Sequence, residues 1–327
     1  MNQAVDPKLA QAIVEADARI RPVAIETPVC AWPQLAERIG GHVWVKQENL
    51  QNTGSFKIRG ATNAILQLPR RLKGIVAASS GNHGAGVAFA LNQLDQKGVI
   101  FVPENVAPAK LANIRRTGQE VRFFGNDVVE TEAHARGWAS SEGWHYLSPY
   151  NDFDVVAGQG TIGVELMRQL DNIDYVYVAV GGGGLISGIA AAIKAVLPSA
   201  KIVGCSATNS CVMQQSVKAG RILELNSKPT LSDGTAGGID SGSITFDYCS
   251  QLVDEWIDVS EAEIANALCS HIDECRQLVE AAAAVGFAGM IKHAAHNQSN
   301  SSVNRVVISC GANIGSERLR DVLNANH

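Results

Sequence analysis

The run Tyr175-Val176-Tyr177-Val178-Ala179-Val180 passes straight into Gly181-Gly182-Gly183-Gly184 and then into the apolar segment Leu185–Val196. A continuous apolar run rich in β-branched and aromatic residues reads as a strand covered on both faces, because a half-exposed strand would alternate. The segment after the glycines has helical length and no polar face. A strand that must be covered on both sides, leading directly into a buried helix, is the condition of a parallel sheet with helical crossovers.

The same alternation recurs along the chain. His42-Val43-Trp44-Val45, Ile75-Val76-Ala77-Ala78, Val99-Ile100-Phe101-Val102, Val121-Arg122-Phe123-Phe124, Ile202-Val203-Gly204-Cys205 and Val306-Val307-Ile308 read as strands. Helices are expected over about 7–20, 84–94, 109–117, 128–142, 161–170, 185–196 and 276–295. The rhythm restarts after Gly160, and 327 residues is a length typical of two domains. Residues 221–250 lack periodicity and are rich in Ser, Gly, Thr and Asp, so they read as a long loop lining a site, with the pocket walls expected from 231–246 and from near Pro149–Asp154. There are no internal repeats or heptads, and no separate C-terminal regulatory domain is expected.

Bulk properties narrow the function. An apolar fraction of 46% is ample for packed cores, and a net charge of −5 argues against a general nucleic-acid binder. The seven cysteines include no C-x-x-C pair, and an odd number cannot all pair within the chain, which favours a reducing, cytoplasmic setting. Met1 to Arg21 is polar and charged, unlike a signal peptide, and no apolar run reaches the roughly 18 residues of a membrane span. A soluble protein is expected.

Three short stretches carry chemistry. Ser55-Phe56-Lys57-Ile58-Arg59-Gly60 follows the turn-forming run Asn52-Thr53-Gly54 and opens a helical pattern through Ala61, Ile65 and Leu68. Ser55 is expected to cap that helix, with Lys57 in its first turn, where the field favours anions. Ser79-Ser80-Gly81-Asn82-His83-Gly84 lies at another strand-to-helix junction, and its hydroxyls, amide and main-chain N–H groups suit a carboxylate. Gly181–Gly184 lets the backbone approach an anion at a helix N-terminus, although a tight turn alone would also need glycine. A lysine able to form an imine, beside two anion cradles, is what a pyridoxal phosphate enzyme needs.

Rival readings fit less well. Gly182-x-Gly184-x-x-x-Gly188 is not a clean dinucleotide fingerprint, and Lys201–Ser206 ends a strand without the expected acidic residue. His293 and His296 share a helix but have no acidic or thiol partner in register for a metal. A Gly-x-Ser-x-Gly elbow is missing, against acyl-transfer hydrolysis. His83 could assist or simply pack.

In order and spacing, from about residue 20 to 315, these three motifs resemble the fold type II pyridoxal phosphate family, nearest its serine/threonine dehydratases and serine racemases. Leu231-Ser232-Asp233-Gly234-Thr235-Ala236-Gly237-Gly238 is similar to the hydroxyectoine-utilisation dehydratases of that branch. The resemblance implies an α/β fold of two open-sheet domains, like the tryptophan synthase β chain, with pyridoxal 5'-phosphate in the cleft between them. Residues 1–48 and 151–327 would form the large cofactor-binding domain and 49–150 the small one, and the protein would be a homodimer.

By the same resemblance, Lys57 would hold the cofactor as an imine and act as the base, with Phe56 packed on the ring. Asn82 would bond the ring hydroxyl, and Gly181, Gly182, Gly183, Gly184 and the Leu185 N–H would hold the phosphate. Glu280 would lie close to the cofactor, and Cys310 would face the pyridine nitrogen, where most relatives have serine. Ser79, Gly81, Asn82 and His83 would receive the substrate carboxylate. Ser80 stands where racemases keep a serine opposite the lysine face. Ser206 and Val212 occupy the positions of a racemase divalent-metal site, and valine cannot ligate a hard cation, so no metal is expected.

The implied reaction is dehydration and deamination of a β-hydroxy-α-amino acid, either serine or threonine or a hydroxyectoine-derived amino acid. The alternatives are racemisation, β-replacement as in cysteine synthase, or a non-catalytic amino-acid sensor. The partner is a small molecule rather than nucleic acid or membrane.

Overall fold

The computed structural model describes residues 5–69, 72–297 and 302–324. Its strands are β1 (Val29–Ala31), β2 (His42–Lys46), β3 (Ile75–Ala78), β4 (Gly98–Val102), β5 (Glu120–Phe123), β6 (His145–Tyr146), β7 (Tyr175–Ala179), β8 (Lys201–Ala207), β9 (Glu255–Val259) and β10 (Asn304–Ile308). The helices are α1 (Pro7–Ile20), α2 (Pro33–Ile39), α3 (Lys57–Gln67), α4 (Asn82–Gln93), α5 (Pro108–Arg115), α6 (Val128–Glu142), α7 (Phe153–Gln169), α8 (Gly184–Val196), α9 (Val212–Ala219), α10 (Ile244–Leu252), α11 (Glu261–Cys275), α12 (Ala281–His296) and α13 (Ser316–Asn324).

Two open sheets result. One runs β1-β2-β10-β7-β8-β9 and the other β5-β4-β3-β6. Every pairing is parallel except β1 with β2. The fold is therefore the expected α/β arrangement of open sheets with crossovers. β7 is buried almost throughout, as its unbroken apolar run requires. α8, beside it, is buried from Gly184 to Ile193, which explains its lack of a polar face. One core gathers Tyr177, Ile186, Phe287 and Val307 around the larger sheet, and another gathers Ile58, Val87, Leu91 and Ile100 around the smaller. Fully burying each such side chain stabilises the fold by roughly 1.5–3 kcal/mol.

Some elements differ from expectation. α7 begins at Phe153, well before residue 161, capped by the Asp152 side chain. Gly158 and Gly160 disguise its first turns, yet both are needed for close helix packing. A Cβ on Gly158 would fall 2.6 Å from Gly60 Cα on α3, and one on Gly188 would fall 2.5 Å from Gly160 N. The stretch 221–250 is not all loop: α10 starts at Ile244 and a single 3-10 turn spans Asp233–Thr235. The helix expected over 276–295 starts later, at Ala281, because left-handed Arg276 ends a preceding, unexpected helix, α11.

Parallel sheets place the strand C-termini on one edge, and ligands bind in the crevice outside that edge. Here β10 lies between β2 and β7. The loop after β10 therefore runs between the segment leading from β2 to Lys57 and the tetraglycine turn after β7. The topology alone brings three distant stretches together.

Candidate active site

α3 places the lysine. Lys57 is its first residue, and the helix is anchored just beyond by Arg59, which is fully buried. Arg59 donates to Glu48 at 2.7 and 2.8 Å and to Glu165 at 2.6 and 2.8 Å, with Thr161 Oγ1 at 3.1 Å. Lys46 Nζ reaches Glu165 at 2.5 Å and the Thr27 carbonyl at 2.6 Å. Facing guanidinium and ammonium, Glu165 is held down at about pKa 2 against the upward push of burial. The cluster ties α3 to α7 and to the turn after β2. On its other side α3 meets α4 at Gly86, where a Cβ would lie 3.1 Å from the Lys57 carbonyl carbon and the Ile58 nitrogen.

Ser55 does not cap α3. Phe56 occupies the cap position with helical dihedrals and no side-chain cap bond, and among the described residues the buried Ser55 hydroxyl has no hydrogen-bond partner. The backbone explains this: Ser55 forms a bridge with Gly311, Phe56 N donates to Cys310 O at 3.1 Å, and Ala312 N donates to Gly54 O at 2.8 Å. A residue held in strand-like pairing cannot turn its hydroxyl onto the first helical turn.

Lys57 Nζ donates to the Pro149 carbonyl at 3.0 Å and lies 5.3 Å from the centre of the Phe56 ring. Enclosure of the ammonium lowers its pKa to about 8, with Cys310 and Glu280 opposing the shift. Burial pushes the Cys310 thiol well above its usual range, and nearby Glu280 pushes it further. The thiol is therefore neutral. Glu280, at the start of α12, is raised to about 7 by burial, against the hydrogen bond from Asn82. Asn82 Nδ2 donates to both its oxygens, at 2.8 and 3.0 Å.

The loop after β3 gives α4 its N-terminus. Ser79 Oγ accepts from Gly81 N at 3.1 Å, and Ser80 is half-buried on the same turn. Among the described residues no hydrogen bond joins Ser80 to Lys57. The His83 ring is committed to packing: Nε2 donates to Leu147 O at 3.0 Å, and burial lowers its pKa to about 3. A neutral ring with its hydrogen on Nε2 offers only an acceptor at Nδ1. What His83 can offer an anion is its main-chain N–H in the first turn of α4.

The tetraglycine turn is a cradle with walls. Gly183 has φ +84°, a left-handed value that favours glycine, and a Cβ there would lie 2.8 Å from Met213 Cε. A Cβ on Gly182 would enter the Tyr150 ring at 2.5 Å, and one on Gly181 would lie 2.9 Å from Thr235 O. Thr245 Oγ1 donates to Gly182 O at 2.6 Å. The unpaired N–H groups of the first turn of α8, with the helix field behind them, suit a phosphate. These features fit pyridoxal phosphate: an enclosed, readily deprotonated lysine, a neutral thiol beside it, and a glycine cradle at a helix start.

Tyr150 falls in the stretch expected to wall the pocket, whereas Asn313 was missed as a site member. Tyr150 packs on the cradle and its hydroxyl accepts from Asp240 N at 2.8 Å. Asn313 donates to Asn82 Oδ1 at 2.7 Å and to Thr53 O at 2.8 Å. Its signal was position, three residues beyond Cys310 in the same loop. The loop 231–246 does line the cleft as expected, meeting the other wall through Asn151–Asp240 and through Arg136–Asp240 at 3.0 Å.

Comparison with known proteins agrees with this chemistry. The family model "Pyridoxal-phosphate dependent enzyme" matches residues 20–311. An L-threonine ammonia-lyase of Thermotoga maritima is 40% identical over 281 residues, covering 85% of this chain and 70% of that one. The solved processed form of threonine deaminase isoform 2 from Solanum lycopersicum superposes with a TM-score of 0.93 at 34% identity, covering 99% of this chain and 95% of that one. Maize serine racemase superposes at 0.90 with 31% identity, covering 99% and 98%. The chain spans about half the length of several plant threonine dehydratases that it also matches.

The chain belongs to the pyridoxal-phosphate-dependent enzymes of fold type II. Within them, the relatives reported above are named for threonine ammonia-lyase, threonine deaminase and serine racemase. No described helix is long and apolar enough to cross a membrane.

Proposed function

We propose that this enzyme removes water and then ammonia from a β-hydroxy-α-amino acid to give a 2-oxo acid. The observation that carries the reading is the pairing of Lys57, whose pKa falls to about 8, with the neutral Cys310 thiol. A base must be able to shed its proton near the working pH. Bound pyridoxal phosphate supplies the electron sink that makes the substrate α-proton acidic.

Lys57 would carry the cofactor aldehyde, and its amine, when free, would take the substrate α-proton. Gly181, Gly182, Gly183, Gly184 and the Leu185 N–H would hold the phosphate, Phe56 would lie against the ring and Asn82 would donate to its hydroxyl oxygen. The Ser79 hydroxyl and the main-chain N–H groups of Gly81, Asn82 and His83 receive the substrate carboxylate. Glu280 sets the position of Asn82. Cys310 retains its proton, so it places no negative charge where an aspartate would hold a ring nitrogen protonated. That favours prompt loss of the β-hydroxyl over transamination.

The substrate is threonine or serine, as the names of the relatives suggest, or a hydroxyectoine-derived amino acid, which the Leu231–Gly238 loop favours. An odd number of cysteines with no C-x-x-C pair favours a reducing, cytoplasmic setting. A homodimer would cover exposed Ile25 and Leu50, which Gln51 holds together through hydrogen bonds to Ile25. A second reading, racemisation, has Ser80 and the likeness to maize serine racemase behind it.

A screen of these amino acids for ammonia and 2-oxo acid release decides between them. Release without added sulfide is expected. Inversion of configuration with no ammonia, or turnover only with sulfide, would overturn the proposal.

A further inference from the structure

We infer that Asn313 is a positioning residue that fixes which way round the Asn82 amide faces, and so whether Asn82 presents N–H or C=O to the cofactor. The inference rests on the function proposed above and extends it to a residue that the site motifs leave out.

The orientation follows from groups that cannot change roles. The Thr53 carbonyl is main chain and can only accept, so the Asn313 atom 2.8 Å from it is the amide nitrogen. That same nitrogen stands 2.7 Å from Asn82, so Asn82 must turn its oxygen toward Asn313. The Asn82 nitrogen then faces Glu280, where it reaches both carboxylate oxygens. An amide nitrogen carries two hydrogens. Asn82 can serve Glu280 with one and a phenolic oxygen with the other.

Without Asn313, only Glu280 would choose the rotamer of Asn82, and a protonated Glu280 is satisfied by either orientation. Space near Asn313 is also reserved. Gly54, at φ +71°, leaves room that a Cβ would take from Asn313 Oδ1, which would lie at 2.8 Å.

The test uses holoenzyme: wild type, Asn313→Ala, Asn313→Asp, Asn82→Ala and the Asn82→Ala/Asn313→Ala pair. Two readouts are independent of turnover: the pyridoxal phosphate dissociation constant, and the ratio of the absorption bands of the two ring tautomers of the bound cofactor. Losing one hydrogen bond's worth of positioning should weaken the cofactor roughly five- to tenfold in Asn313→Ala and shift the band ratio. In the Asn82→Ala background the same change should cost less than about twofold, because nothing remains to be oriented. Asn313→Asp keeps size and shape but can only accept, so Asn82 should flip, turn its carbonyl to the phenolic oxygen and shift the band ratio at least as far as Asn82→Ala does.

Equal effects of Asn313→Ala in both backgrounds, or an unchanged band ratio in Asn313→Asp, would overturn the inference while leaving the enzyme reading intact. Failure of the wild type to take up pyridoxal phosphate would overturn both.

Discussion

Phe56 and Cys310 are joined through their main chains, the Phe56 amide donating to the Cys310 carbonyl at 3.1 Å. The bridge between Ser55 and Gly311 and the bond from Ala312 N to Gly54 O extend the pairing on both sides. The loop that carries Lys57 and the loop that carries Cys310, proposed to face the ring nitrogen, are thus one short stretch of sheet-like structure. Neither can move without the other, so the distance between Lys57 and Cys310 is fixed by backbone.

That coupling makes the identity of residue 310 a clean variable. Cys310→Asp would introduce a charge able to hold the ring nitrogen protonated without moving Lys57. The product ratio, measured as oxo acid and ammonia against inverted or transaminated amino acid, should shift away from elimination. An unchanged ratio would count against the role given to the thiol.

Enclosing the Lys57 ammonium costs stability in the cofactor-free protein. The folded pKa of about 8 lies below the unfolded value of 10.5, so the unfolded chain binds more protons between those limits. The penalty is full below pH 8 and fades as pH rises through that window. Allowing for the residue's partial exposure to the cleft, Lys57→Met should be more stable than wild type by roughly 2 kcal/mol at pH 7. Urea unfolding of both apo-proteins should show the gap closing toward pH 10. A gap that widens with pH would contradict the assignment.

Arg59 is surrounded by Glu48 and Glu165, all three without exposed side-chain surface. Removing one member of a buried ion cluster strands the others, at a cost of about 3–5 kcal/mol. Arg59→Met should lose about that much by chemical denaturation. A loss below about 1 kcal/mol would mean that the cluster does not hold α3.

The glycine cradle admits a graded test. Gly182→Ala meets the Tyr150 ring and Gly183→Ala meets both the Met213 side chain and a left-handed backbone. Each should weaken cofactor binding roughly tenfold or more, since a shift of about 1.4 kcal/mol suffices. Gly137→Ala, with no atom within 4 Å of the added Cβ, should bind as wild type does in equilibrium dialysis.

What could be read from residues in a row was legible: β7 and its glycine turn, the alternation that sets the α/β class, and Lys57 between a turn and a helix. Elements built by tertiary packing were not. The glycines of α7 look like loop until Gly60 and Gly188 are found against them, and β9 is a half-exposed edge strand with a mixed pattern. α11 does carry a local signal, the capping box of Ser260 and Glu263. Ser55 looked like a cap because its pairing with Gly311, far along the chain, has no local trace. The same holds for Asn313, and for Arg59, whose partner Glu165 lies 106 residues away. Side chains that position others act through long-range contacts, which spacing does not record.

The most direct test is to load the purified protein with pyridoxal phosphate, reduce it with borohydride and locate the added mass by peptide mapping. One pyridoxyl group on the peptide containing Lys57, and none in Lys57→Ala, is the predicted result. A label on another lysine, or none on a folded protein, would contradict the account.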